Sequence, residues 1–215
     1  MGKFSPYHMT HTNSKFRGGF YEGGSRDDRY NLSKIRAEVP RGQKTMIAIS
    51  LNYRLSAFGF LWSKDVEQSN GTANVGLRDQ RLALHWIQEN IAAFGGGPVK
   101  VTLWGESSGG IAIGRQLVAY GGRDDGLFRA AIMESGGPLE RWPYAVSDAA
   151  ACTEELYANL TSTTGCNSAS VPLECLRTLP FEELNSALNI TDTWIAGTSL
   201  GPWISVIDGD FLQDY

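Results

Sequence analysis

Residues 99–120 read VKVTLWGESSGGIAIGRQLVAY, and three kinds of backbone follow one another in them. Residues 99–104 are β-branched and apolar enough to predict a strand, and residues 111–120 carry the small and apolar residues of a buried helix. Between them Gly105-Glu106-Ser107-Ser108-Gly109 predicts a sharp turn. Outward from this junction the same alternation repeats. Residues 45–55, TMIAISLNYRL, predict a buried strand running into a turn at Gly59, and a loop follows over 62–74. From Gly76 the apolar residues Leu77, Leu84, Ile87, Ile91 and Phe94 recur at helical spacing, and Gly95-Gly-Gly-Pro98 stops the helix. Residues 128–133, FRAAIM, predict a third strand. Strand, helix, strand, helix, strand over 45–135 implies parallel pairing through right-handed crossovers, the pattern of an α/β fold. Further on, 148–160 and 180–188 predict helices, and 194–215 predicts loop with short strand.

The turn carries chemistry as well as topology. A serine at the centre of Gly-x-Ser-x-Gly between strand and helix fits a nucleophile elbow, in which the hydroxyl is held above the carboxyl edge of a sheet. With strand and helix closing in on both sides, a Cβ at position 105 or 109 would collide with its neighbours. The unpaired amides and the dipole of the following helix favour negative charge developing on a carbonyl oxygen there. Gly197-Thr-Ser199-Leu-Gly201 matches the same five-residue pattern, but Pro202 follows it and no strong strand leads in, so Ser107 is the predicted nucleophile. Upstream, Phe16-Arg-Gly-Gly-Phe20-Tyr-Glu-Gly-Gly-Ser25 is either a flexible loop or a glycine-rich stretch whose amides complete an oxyanion hole. Beside a convincing elbow the second reading is preferred, with the amides of Gly18, Gly19 and Ser108 as donors.

Composition narrows the alternatives. A chain of 215 residues, 42% hydrophobic and 20% charged, is in the ordinary globular range. Its net charge of -4 and pI near 5.4 come from interspersed acids and bases, with no basic block to follow a phosphate backbone, so nucleic acid is not an expected partner. No run approaches the ~18 apolar residues of a transmembrane helix. Residues 1–16 lack the apolar core of a secretory signal. Asn31, Asn70, Asn159 and Asn189 nevertheless begin glycosylation acceptor triplets. The three cysteines are Cys152, Cys166 and Cys175; the last two flank a stretch that could close a small loop, and the alternative is three buried thiols.

The runs NYRLSAFGF, NVGLRDQRLALHWIQENIAAFGG, GESSGG and VIDGDFLQD resemble the type-B carboxylesterase and lipase family, which holds the cholinesterases and secreted fungal lipases. The resemblance covers residues 16–215 and leaves 1–15 outside it as a non-family segment. It implies a partial α/β-hydrolase fold, a mostly parallel sheet flanked by helices with N-terminal and C-terminal strands missing. It also implies carboxylic-ester hydrolysis by a Ser, Glu, His triad, no cofactor or metal, a small-molecule or lipid ester substrate and an extracellular location. Residue by residue, Ser107 takes the nucleophile's place and Gly18, Gly19 and Ser108 those of the oxyanion donors. Glu106 resembles a carboxylate that supports the site rather than the triad acid, and Cys166 and Cys175 match a family disulfide.

Departures are equally visible. Arg17 stands at the first glycine of the family's oxyanion loop, Ser108 where alanine is usual after the nucleophile, and Gly97 where the family has aspartate. His8, His11 and His85 all precede Ser107, whereas the family's base follows it, so the acid and the histidine of the triad are expected outside these residues. The expectation is an ester hydrolase represented by a fragment. A non-catalytic cholinesterase-like interaction module, an inactive truncated product, and cleavage of amides or thioesters are the alternatives.

Overall fold

The computed structural model describes residues 7–12, 46–138, 146–190 and 203–213. Its strands are β1 (Tyr7–Thr12), β2 (Met46–Leu51), β3 (Val101–Glu106) and β4 (Ala130–Glu134). They form one parallel sheet in the order β2-β1-β3-β4. The three strands expected from the apolar runs are present: β2 is shorter than 45–55, while β3 and β4 each begin two residues later than expected and run past 104 and 133. The fourth is not announced by the sequence. YHMTHT is more polar than the apolar runs usual in central strands of parallel sheets, yet its backbone pairs His8 with Ile47 on one side and with Val101 on the other.

The helices are α1 (Ser56–Phe60), α2 (Lys64–Gln68), α3 (Val75–Asn90), α4 (Ser108–Gly122), α5 (Val146–Thr163), α6 (Pro172–Thr178) and α7 (Phe181–Ile190). Where a loop was expected over 62–74, α2 forms because Ser63 caps it, its hydroxyl accepting from the Val66 amide, with Asp65 and Glu67 in the positive first turn. On α3 the side chains of Leu77, Leu84 and Ile87 are buried as the spacing predicts, and Ile91 follows them inward. Phe94 does not: residues Ile91–Phe94 tighten to a 3-10 turn, which rotates the later positions off the stripe and leaves Phe94 exposed. Gly95, at φ 81°, ends that turn in the left-handed region where a side chain is disfavoured.

Leu84, Ile87 and Ile91 of this helical run meet Val101 and Leu103 of β3, together with Ile113 and Leu127, in one core cluster. A second cluster joins Ile111 and Ala112 of α4 to Phe60, Leu77, Leu160, Leu173, Leu176, Trp203 and Phe211. The segment 203–213 is fastened to the start of α3 by polar bonds. Asn74 Nδ2 donates to the Val206 carbonyl at 2.7 Å and its Oδ1 accepts from the Val206 amide at 3.0 Å. Arg78 pairs with Asp208 and Asp210, each at 2.9 Å. Cys166 and Cys175 form a disulfide, which closes the connection from α5 to α6. Cys152 lies on α5, outside that bridge. Among the described residues no helix is long and apolar enough to cross a membrane.

Candidate active site

Ser107 sits between the end of β3 and the start of α4 with φ 54° and ψ −120°. That is a left-handed-side conformation which L residues adopt only when surrounding contacts enforce it. The enforcing contacts are hydrogen bonds on either side of the turn. The Ser107 amide donates to the Glu134 carbonyl at the end of β4, at 2.8 Å, and the Ser107 carbonyl accepts from the Ile111 amide in the first turn of α4, at 3.0 Å. Held this way, Ser107 is exposed while Ser108, Gly109 and Gly110 behind it are buried.

Glycine is required at the turn because backbone approaches backbone. A Cβ on Gly105 would lie 2.4 Å from the carbonyl carbon and oxygen of Gly109, so the expected constraint at 105 has a definite partner. Two more positions belong to the same device and were not singled out from the sequence. A Cβ on Gly110 would lie 2.6 Å from the Gly136 carbonyl oxygen, and one on Gly136 would lie 2.2 Å from the Ser107 carbonyl oxygen. One helical turn further on, a Cβ on Gly114 would lie 2.6 Å from the Pro138 Cα. The turn after β4 therefore packs main chain to main chain along the Gly110-x-x-x-Gly114 face of α4. The readable signal was Gly136-Gly137-Pro138 directly after the third predicted strand.

The helix that follows Ser107 is regular through residue 118; Ala119, Tyr120 and Gly121 leave helical geometry. Ten or so aligned peptide units still present their positive end, and the unpaired amides of the first turn, to the space beside Ser107. The Ser108 amide is one of these. Gly18 and Gly19, the other expected donors, lie outside the described residues, as do Arg17, Asn31 and Ser199. Glu106 is half-buried at the end of β3, in register with Glu134 of β4. His85 is exposed on α3, and the side chains of His8 and His11 on β1 are not described. Asn70 and Asn159 are exposed; Asn189 lies on α7 with its side chain undescribed. Among the described residues no cluster of His, Cys, Asp and Glu is arranged to hold a metal ion.

Known proteins are similar to this sequence. Residues 15–215 match the profile described as the Carboxylesterase family. Secreted lipase 1 of Botryotinia fuckeliana is 41% identical over 178 residues, which are 81% of this chain and 30% of that protein. A secreted triacylglycerol lipase of Gibberella zeae is 38% identical over 189 residues, 86% of this chain and 31% of its own length. Lipase 2 of Diutina rugosa is 39% identical over 206 residues, 93% of this chain and 36% of its own. The chain spans about a third of the length of the curated relatives it matches. A strained serine between a parallel strand and a helix, and a profile match over nearly all of the sequence, lead to one statement: the chain belongs to the carboxylesterase family.

Proposed function

We propose that this chain carries the nucleophile of a carboxylic-ester hydrolase that works through an acyl-enzyme. Ser107 Oγ attacks the ester carbonyl carbon, and its proton passes to a general base. The tetrahedral intermediate, its oxyanion held by the amides of Ser108, Gly18 and Gly19, collapses with loss of the protonated alcohol. Water then attacks the acyl carbon, releases the carboxylic acid and returns the proton to Ser107. The base and its acid are assigned to no residue of this chain, because the histidines at 8, 11 and 85 all precede the nucleophile. Glu106, next to Ser107, is proposed to support the site electrostatically.

The observation that carries the reading is the backbone of Ser107, φ 54° and ψ −120°, at a strand-to-helix turn. Relatives named as lipases, one of them a triacylglycerol lipase, support a small-molecule or lipid ester as substrate. Relatives named as secreted support an extracellular location, with Asn31, Asn70, Asn159 and Asn189 as candidate glycosylation sites.

An alkyl fluorophosphonate tests the reading directly. The intact protein is expected to form one covalent adduct, mapped by peptide mass spectrometry to Ser107, and Ser107→Ala is expected to abolish both the adduct and ester turnover, by roughly 10⁴-fold or more in kcat. An unmodified Ser107 in a folded protein overturns it and favours a non-catalytic interaction module.

A further inference from the structure

Between α1, α2, α6 and α7 the chain leaves a groove of about 540 Å³, to which no residue of the elbow contributes. That volume lies within the roughly 300–1,000 Å³ of small-molecule sites. Among its lining residues Ala57, Val66, Leu173 and Leu176 are buried and make an apolar floor. At the mouth stand Phe58 and Phe181, 37% and 62% exposed, whose rings stack with centroids 5.7 Å apart. Apolar area held open to water in this way is a cost that a bound apolar chain would remove. The charged residues of the lining are two arginines, Arg54 and Arg177, with side chains 56% and 54% exposed. Their partners Asp79 and Glu174 do not line the groove. An arginine so exposed beside apolar walls lays its methylene stem on them and keeps its guanidinium at the water's edge. The contact of Arg177 Nη1 with Glu174 uses one of five N–H donors, which leaves others for a second carboxylate. The disulfide from Cys166 to Cys175 anchors α6, and with it the wall that Leu173, Leu176 and Arg177 form.

We propose that this groove binds a single-chain fatty acid, the acid product of the chemistry at Ser107, with its tail along the apolar floor and its carboxylate at the mouth beside Arg177 and Arg54. The choice of a carboxylic acid as occupant rests on the ester-hydrolase reading above; the apolar floor and the cationic mouth do not depend on it. An apolar floor alone would take any hydrocarbon chain, whereas cations at the mouth favour an anionic head over a neutral one. The tail supplies most of the affinity through the apolar area it removes from water, so binding tightens with chain length. Half-exposed arginines add a smaller, selective share.

The test uses the intact protein with Ser107 first blocked by a small fluorophosphonate, so that the reaction site does not take the ligand. Isothermal titration with decanoate is expected to show one saturable site. Octanoate, two methylenes shorter, is expected to bind roughly tenfold more weakly. Decanol, with a tail of the same length and no charge, is expected to bind more weakly by about threefold or more. Phe181→Asp is expected to weaken decanoate at least about tenfold, and Arg177→Gln to narrow the preference for decanoate over decanol toward parity. Both variants are expected to melt with wild type, since both side chains are largely exposed. No decanoate binding, equal binding of decanol, or an affinity unchanged in Phe181→Asp overturns the assignment, while labelling of Ser107 keeps the hydrolase reading intact. A wild-type dimer that Phe181→Asp makes monomeric shows a second copy in the groove and also overturns the assignment. Failure of Ser107 to label is a failure of the hydrolase reading alone; the same titration on unlabelled protein then decides the site through the loss in Phe181→Asp.

Discussion

A methyl group at Gly136 would place its carbon 2.2 Å from the carbonyl oxygen of Ser107 and 3.0 Å from the carbonyl carbon. Neither atom can yield alone, since that carbonyl accepts the Ile111 amide and the amide of the same residue is tied to Glu134. Gly136→Ala is therefore expected to displace the elbow itself. The expected cost is about 2 kcal/mol or more in denaturant unfolding, as for overpacking in a tight site, with modification of Ser107 slowed roughly 100-fold by its misplacement. Gly137 is the matched control. A Cβ there meets nothing within 4 Å, so Gly137→Ala is expected to change stability by no more than about 0.5 kcal/mol and leave labelling intact. At this scale Ser107 and Gly105 were legible because they lie within one five-residue pattern. Gly136 was not, because its partner is 29 positions away in sequence and the contact exists only after β3 and β4 pair.

Helix α3 shows how far periodicity reaches. Its inward stripe is readable as far as the α-helical repeat persists, and fails at Phe94, where the 3-10 turn changes the angle per residue. Its attachments are less readable. Asp79 accepts from the backbone amide of Arg54 at 3.0 Å and from its Nε and Nη2 at 2.8 and 2.7 Å, which joins the chain after β2 to the first turns of α3. Burial by itself would raise the Asp79 carboxyl, but the Arg54 hydrogen bonds and charge outweigh it and hold the group below the usual aspartate range. A carboxyl that ionises more readily folded than unfolded stabilises fully above its unfolded pKa of about 3.9 and ceases to as pH falls through its folded value. Asp79→Asn is expected to melt below wild type at pH 7, with the gap narrowing below about pH 4. Melting temperatures at pH 7 and pH 3 check this; a gap of constant size refutes it.

In the molecule as a whole, the helices α5 to α7 and the segment 203–213 join α4 in one core cluster, with Trp203, Phe211 and Leu212 fully buried. The disulfide between Cys166 and Cys175 spans nine positions in that region. By the chain-entropy account a loop of that size contributes about 2.5 to 3 kcal/mol. Replacing both cysteines by serine is expected to lower unfolding stability by about that amount while leaving Ser107 reactive, measured by denaturant midpoint and fluorophosphonate labelling side by side. A stability unchanged within about 0.5 kcal/mol would show that the loop is ordered by packing alone.

By itself the sequence determined the parallel α/β pattern, the elbow with Ser107 at its centre, and the inward face of α3. Each of these is set by residues near one another in the chain, through backbone propensity, turn chemistry and the period of apolar positions. Only the tertiary structure decided that YHMTHT lies between β2 and β3, that Gly136 presses on the Ser107 carbonyl, and that the Ser108 hydroxyl is buried without a partner. Those depend on contacts between segments remote in sequence, where burial and the close approach of two backbones override what a short run of residues prefers.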